Sequence, residues 1–338
     1  MVLNYIGSKM KLVKIISAII TSHVKSGVFG DLFAGTGAVS RHFAKIGYSV
    51  CANDVEQYSY YVSSAVLNCP YSDKLSALID TLNKIEPIEG LFYKHYSVSA
   101  GRLFFTDDNA KKIDTLRENI EILKNKAEIT ELEYVFLIGS LLESADAVAN
   151  TASVYGAFLK KIKKSALTPL VLKPIHTNKS IQSDKHNVMN KDIFEILENQ
   201  YYDVVYLDPP YVARQYGANY CPLNYLCQYN RNIEVRNKTG LIDYYKSPFA
   251  SKRDALKSFK KLFAEIKTKH LFLSYNNNGI VSLEKMIDLL GQYGDVITYV
   301  IDYRGYKSNQ TTNNKTTEYL HYLQYNGGNQ KQTIQWEP

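Results

Sequence analysis

Apolar residues recur along this chain with two different periods, and the change between them separates an α/β part from a helical part. Residues 28–33 read as a buried strand, Ala34-Gly35-Thr36-Gly37 as a tight turn, 38–46 as an amphipathic helix and 48–52 as a second strand. That is one βαβ unit with its glycines at the strand-to-helix turn. Upstream, Leu12, Ile15, Ile16, Ile19 and Ile20 share one face of a helix over 11–20, and a further helix is expected over 56–67. From about 70 to 156 the pattern is mostly helical, clearest over 72–85, 107–124 and 131–149. Alternation of strand and helix then resumes: a short strand at Asn187-Val188, a helix over 192–199 and a strand over 203–207. A weakly periodic segment to about Phe249 follows, which reads as a long structureless loop, either mobile or functional. A helix over 252–267, a strand over 270–275, a helix over 283–290 and an antiparallel hairpin of strands 296–303 and 317–325 complete the pattern. The expected organisation is a mostly parallel α/β sheet domain from 1–68 and 186–338, with 69–185 as an inserted, mainly helical domain.

Composition agrees with this picture without adding much to it. At 338 residues and 45% hydrophobic, the chain can bury a sizeable core and exceeds a typical single domain. The net charge of +7 permits a polyanionic partner. The 28 tyrosines include candidates for base stacking, although most should be half-buried structural residues. Cys51, Cys69, Cys221 and Cys227 show no metal-ligand spacing and no disulfide framework, so a reducing cytoplasm is the simplest compartment. No apolar run approaches the roughly 20 residues of a spanning helix, and no segment has a signal-peptide layout.

The strand over 203–207 ends in Asp208-Pro209-Pro210-Tyr211. The prolines fix the exit direction of the chain and remove donors, which leaves a carboxylate and free carbonyls beside a flat ring. A bare Pro-Pro would be read as a turn. The full tetrapeptide after a buried strand suits a planar base with an exocyclic amine, whose two N–H groups the carboxylate and the next carbonyl accept while the ring stacks. At the other turn, Gly35 and Gly37 allow close approach of a ligand, and Asp54, after the second strand, is placed for a ribose diol. Ser40 stands where a dinucleotide fingerprint requires glycine. A nucleoside without a pyrophosphate fits better than a nicotinamide cofactor.

At these residues the chain resembles the D12 class of N6-adenine-specific DNA methyltransferases, alpha motif order, of restriction-modification systems. Asn4-Tyr5-Ile6-Gly7-Ser8-Lys9 is similar to that family's N-terminal cofactor motif, Asp31-Leu32-Phe33-Ala34-Gly35-Thr36-Gly37 to its glycine motif, and Asp208 to Tyr211 to its catalytic motif. Ser274-Tyr275-Asn276 resembles a motif at the end of the fifth strand. The likeness runs from about Leu3 to Tyr325, the middle third matching in position more than in residues. It implies a Rossmann-like sheet dependent on S-adenosylmethionine, with an inserted target-recognition domain. Asp208 and the Pro209 carbonyl would accept the N6 hydrogens of a flipped adenine, Pro210 would shape the turn and Tyr211 would stack on the base. Gly35 and Gly37 would pass close to the methionine part of the cofactor, and Asp31, of the same motif, would also bind the cofactor. Asp54 would bind its ribose and Lys9 its carboxylate, and Tyr5 and Phe33 would line the pocket. Asp192 falls where the family places an acid against the cofactor's adenine, and reads equally well as a helix N-cap.

The chemistry expected is direct in-line methyl transfer without a covalent enzyme intermediate. C5-cytosine methylation uses a thiolate, usually within Pro-Cys, and no cysteine here follows proline. N4-cytosine enzymes commonly carry serine in place of Asp208, and the motif alone leaves that base open. The alternatives are an RNA adenine methyltransferase and a non-catalytic nucleic-acid-binding module. Candidate contacts to double-stranded DNA are Lys160, Lys161, Lys163 and Lys164, which read equally well as a solvated face, then Arg214, Gln215, Tyr216 and Asn219 after the catalytic motif, and Arg304 and Lys307 in the last hairpin. The continuation Arg-Gln-Tyr-Gly-Ala-Asn-Tyr resembles a subgroup that reads short palindromes such as CATG. The expected partners are duplex DNA and a cognate restriction endonuclease, with no membrane, and the protein is expected to act as a monomer.

Overall fold

The computed structural model describes Leu3 and residues 5–176, 181, 183–197, 200–302 and 317–336. Eight strands form one sheet: β1 (Val28–Asp31), β2 (Ser49–Asn53), β3 (Asn187–Met189), β4 (Tyr202–Leu207), β5 (Thr268–Asn276), β6 (Gly294–Asp302), β7 (Thr317–Tyr325) and β8 (Lys331–Gln335). Their order is β3-β2-β1-β4-β5-β7-β6-β8. The pairs from β3 to β5 are parallel, whereas β7 runs antiparallel between β5 and β6. The chain moves outward from β1 to β3 and restarts on the other side of β1 at β4, so the order reverses there. Such a reversal opens a crevice at the carboxyl ends of the strands. Because β7 is antiparallel, its first residues, not its last, reach that same edge: Glu318 pairs with Asn276, the final residue of β5.

Both faces of the sheet are covered, which is why its central strands read as continuous apolar runs. Val204 and Tyr206 pack with the helix Val13–His23 and the crossover helix Ala38–Lys45, while Val205 and Leu207 pack with Ala255–Glu265 and Leu283–Leu290. The glycine turn is anchored from behind by Phe29 of β1, stacked on Phe43 at 3.8 Å between ring centroids.

A second, helical core is built from Asp73–Asn83, Leu91–Tyr96, Asp107–Asn125 and Glu131–Ala147. Hydroxyl caps start three of these helices: Ser72, Thr106 and Thr130 each accept a backbone N–H three residues on, and Glu133 completes a capping box with Thr130. This core is shared with Gln57–Asn68 and with Tyr220 to Cys227.

The structure departs from the sequence expectation in three places. The segment after Tyr211 is not structureless: it contains helices Tyr216–Asn219 and Cys221–Gln228. All but one residue of the latter is buried, so it has no polar stripe from which a period could be read. Of the helix expected over 192–199, the described residues 192–197 form a single 3-10 turn, Ile193–Glu195, and 198 and 199 lie outside the described residues. An eighth strand extends the sheet beyond the expected hairpin, and its largely exposed, polar residues carry no apolar alternation. Among the described residues no helix is long and apolar enough to cross a membrane.

Phe29→Ala empties the space beneath the glycine turn and should lower the unfolding free energy by about 3–5 kcal/mol, read from chemical denaturation. A loss under about 1 kcal/mol would contradict a close-packed stack at this position.

Candidate active site

The first wall of the site is the glycine turn. Gly35 and Gly37 adopt φ of +54° and +69°, a region that side chains avoid. Asp54, just past β2, accepts the Gly35 N–H at 2.7 Å and the Glu56 N–H at 3.0 Å, and the Ser59 hydroxyl donates to the Gly35 carbonyl. A Cβ on Gly35 would stand 2.9 Å from the ring of Tyr5. That ring is stacked in turn on Tyr220 at 5.0 Å and tilted on Tyr216 at 5.3 Å. The N-terminal segment is thereby held between the glycine turn and the helices after the catalytic motif. The Ile6 N–H donates to the Tyr220 hydroxyl at 2.8 Å, and the Tyr216 hydroxyl donates to the Ile6 carbonyl at 3.3 Å.

The second wall is Asp208, at the carboxyl end of β4. Lys9 Nζ donates to its Oδ1 at 2.8 Å, with the side chains only 5% and 16% exposed. Burial pushes the Asp208 pKa up and Lys9 pulls it back. Burial also works against the charge on Lys9, but Asp208 foremost, then Tyr211, Tyr206 and Glu318, hold its pKa well above the ordinary lysine value. The Lys9 ammonium is thereby placed on Asp208, because a carboxylate so little exposed requires a cation.

The turn after Asp208 is fixed to β5. The Tyr211 carbonyl accepts the Ile280 N–H at 2.8 Å, and its ring meets Tyr275 edge-on at 5.6 Å. The Tyr275 hydroxyl accepts the Val281 N–H at 3.0 Å. Within Ser274-Tyr275-Asn276 it is Tyr275 that supports the catalytic turn.

One cleft joins these walls. Of the expected residues it brings together Tyr5, Lys9, Asp31, Phe33, Gly35, Asp54, Asp208 and Pro210. Gly37 stands behind the turn, where a Cβ would meet the Ser63 hydroxyl at 2.8 Å. Pro209 and Tyr211 flank the cleft without lining it. Asp192 caps the 3-10 turn, accepting the Phe194 N–H at 2.9 Å, and is bonded to the Tyr245 hydroxyl. A smaller lobe lies beside Asp192, lined by Phe33, Lys191, Ile193, Tyr245 and Phe249.

The expected DNA contacts are dispersed. Gln215 and Tyr216 line the cleft instead of an open face, because their helix folds back onto Tyr5 and because Gln215 exchanges two hydrogen bonds with Ser247, at 2.8 and 3.3 Å. Asn219 is half-buried and its carbonyl accepts the Tyr155 N–H at 2.8 Å, while Arg214 is exposed. Lys163 donates to the Thr151 carbonyl at 2.8 Å; Lys160, Lys161 and Lys164 are exposed. Arg304 and Lys307 lie outside the described residues. Sequence reasoning missed Glu56, Tyr58, Tyr220, Tyr245 and Ser247. Their signal is weak because Tyr58, Tyr220, Tyr245 and Ser247 reach the site through long-range packing, and Glu56, two residues after Asp54, belongs to no motif.

Asp31, at the end of β1, spends one oxygen on the Ser40 N–H and hydroxyl, at 3.0 and 2.6 Å. The other is buried without a partner among the described residues. Burial pushes this carboxyl up to about 7 against the Ser40 bonds, and the charge of Asp208 adds to the rise. A buried orphan acceptor in the cleft wall fits an ammonium group, the glycine turn leaves room for a ligand backbone, and Asp54 fits a diol; S-adenosylmethionine has all three complements. A cation favours ionised Asp31, so affinity for S-adenosylmethionine should tighten by up to about tenfold per pH unit below that pKa and level off above it. Calorimetric titration across pH checks this, and a profile that is flat, or that persists in Asp31→Asn, would contradict it.

The sequence matches the model of the D12 class N6 adenine-specific DNA methyltransferases over residues 5–288. Among curated proteins it is 43% identical to Type II methyltransferase M.NlaIII of Neisseria lactamica, a match covering 95% of this chain and 99% of that protein. It is 38% identical to Type II methyltransferase M.CviAII of Paramecium bursaria Chlorella virus 1, over 95% and 98% of the two chains. Against the modification methylase LlaI of Lactococcus lactis it is 33% identical, over 92% of this chain but only 52% of that longer protein. With a family match running from the Tyr5 segment through the catalytic turn and into the helix after β5, the chain belongs to the D12 class of N6 adenine-specific DNA methyltransferases.

Proposed function

We propose that this protein methylates N6 of an adenine flipped out of a short duplex recognition sequence, as the modification half of a restriction-modification system. The observation that carries the reading is the meeting of the Gly35 turn and Asp208 in one cleft. A nucleoside cofactor and a base amine would lie side by side there.

The amine of adenine is a poor nucleophile because its lone pair is delocalised into the ring. Asp208 and the Pro209 carbonyl, accepting both N–H bonds, would draw that lone pair out of conjugation and aim it. S-adenosylmethionine, when bound, supplies a methyl group on a positively charged sulfur. Tyr5, Phe33, Gly35, Asp31 and Asp54 would hold it, with Tyr245 and Asp192 near its far end. Lys9 favours the ionised form of Asp208 and orients it, and Asp208 would be the base for the proton that N6 gives up. Tyr211, braced by Tyr275, would stack on the extruded base for about 1–3 kcal/mol. The exposed Arg214 and the exposed lysines at 160, 161 and 164 fit phosphate contacts. The protein would act as a monomer in the cytoplasm opposite a cognate endonuclease. The continuation of its catalytic motif suggests a short palindrome such as CATG as their common site.

Transfer of a labelled methyl group to unmethylated duplex DNA, mapped by sequencing, tests this. The expected product is N6-methyladenine at one short motif, with Asp208→Ala slower by about 10²- to 10³-fold, the loss typical of one preorganised hydrogen-bonding group. Methylated cytosine, or unimpaired transfer by Asp208→Ala, would contradict the assignment.

A further inference from the structure

Glu318, near the start of β7, is only 8% exposed and is not accounted for by the chemistry above. The antiparallel course of β7 brings it to the catalytic edge, opposite Asn276 of β5. Its Oε1 accepts the Asn276 amide at 3.4 Å. The amide's own oxygen accepts the Asn278 N–H at 2.9 Å, so the NH₂ group faces Glu318 and the carboxylate is held in one orientation. The other oxygen, Oε2, is buried with no partner among the described residues. Within electrostatic reach stand Lys9 from the N-terminal segment and Asp208 and Tyr211 from the catalytic turn.

Lys9 has three N–H donors. One is on Asp208 at 2.8 Å and one is directed at the Gly7 carbonyl at 3.4 Å. If the ammonium stayed fully committed to Asp208, that carboxylate would be a weaker acceptor for the base amine and for its proton. A second anion within electrostatic reach of Lys9 relieves this.

We propose that Glu318 is a positioning residue for the methylation, the second counter-ion of Lys9, which shares the ammonium so that Asp208 is free to accept from the target amine. This rests on the adenine-methylation reading. In the step it serves, the N6 lone pair forms the new C–N bond as the methyl leaves sulfur with the bonding electrons staying on sulfur. The positive charge gained by N6 is then removed when an N–H bond gives up its proton to the Asp208 carboxylate. Glu318 takes no proton from the base; it acts through Lys9. The role needs its ionised form. Burial raises its pKa while Lys9 lowers it and Asp208 raises it further. The wild-type rate therefore falls on the acid side as Glu318, together with Asp208, becomes protonated.

The test is single-turnover methylation as a function of pH for wild type, Glu318→Gln and Glu318→Asp, with affinities for duplex and for S-adenosylmethionine measured separately. Base extrusion is read from fluorescence of 2-aminopurine at the target position. Glu318→Gln should be slower by about 10- to 100-fold, with a shallower acid limb. Both affinities and the melting temperature should stay near wild type, the fluorescence rise should be unchanged, and Glu318→Asp should recover part of the rate. A wild-type rate and acid limb in Glu318→Gln would overturn the inference, as would a loss that follows a lowered melting temperature. A wild type that methylates no DNA would overturn the inference together with the reading beneath it.

Discussion

The ion pair between Lys9 and Asp208 joins the start of the chain to the end of β4 across 199 residues of sequence, and it sets the charge of the carboxylate on which the proposed chemistry depends. Both side chains are largely withdrawn from water, so loss of one partner would strand the other at a cost of about 3–5 kcal/mol. The N-terminal segment must therefore dock before the catalytic carboxylate has its proper charge. Docking also brings Tyr5 against Gly35, which ties the cofactor turn to the same event. A single buried contact thus couples the two halves of the pocket.

Charge explains what the pocket is suited to hold. Burial raises the pKa values of Asp31, Asp54, Glu56, Asp208 and Glu318 around this edge of the sheet. Among the described residues that line the cleft, Lys9 is the one basic side chain. The surplus of acids favours a cationic ligand, and S-adenosylmethionine carries two positive charges. The topology makes this concentration possible: β1 and β2 on one side of the switch point and β4 on the other deliver carboxylates at their carboxyl ends, and antiparallel β7 delivers Glu318 from the opposite direction. The same edge is then electrostatically prepared for a reaction that moves positive charge onto a base.

The sequence made the local parts legible. An apolar strand ending in Asp-Pro-Pro-Tyr and a strand-to-helix turn with two glycines are short patterns, and each predicted its own geometry. Partners distant in sequence were not legible. Lys9 is legible as a candidate residue of the site, but its contact with Asp208 is not, since nothing local to it shows that Asp208 is within 2.8 Å. Gln215 and Tyr216 read as candidates to touch DNA because they follow the catalytic motif; that they line the cleft is not legible, since it follows from a short helix packing its first residue on Tyr5. The helix Cys221–Gln228 was invisible for the opposite reason, being buried on every side. Glu318 sits in a strand whose alternation suggests only a hairpin, and its importance depends on strand direction.

The measurement closest to the central claim is the effect of Lys9→Met on two separate quantities, affinity for S-adenosylmethionine and the single-turnover rate at saturating cofactor. If Lys9 serves Asp208, affinity should stay within about threefold of wild type while the rate falls by about 10²-fold or more near neutral pH. Without the ammonium the Asp208 pKa rises, so part of the lost rate should return as pH is raised. The opposite result, affinity weakened by about tenfold or more with an unchanged rate at saturation, would assign Lys9 to the cofactor and contradict the account.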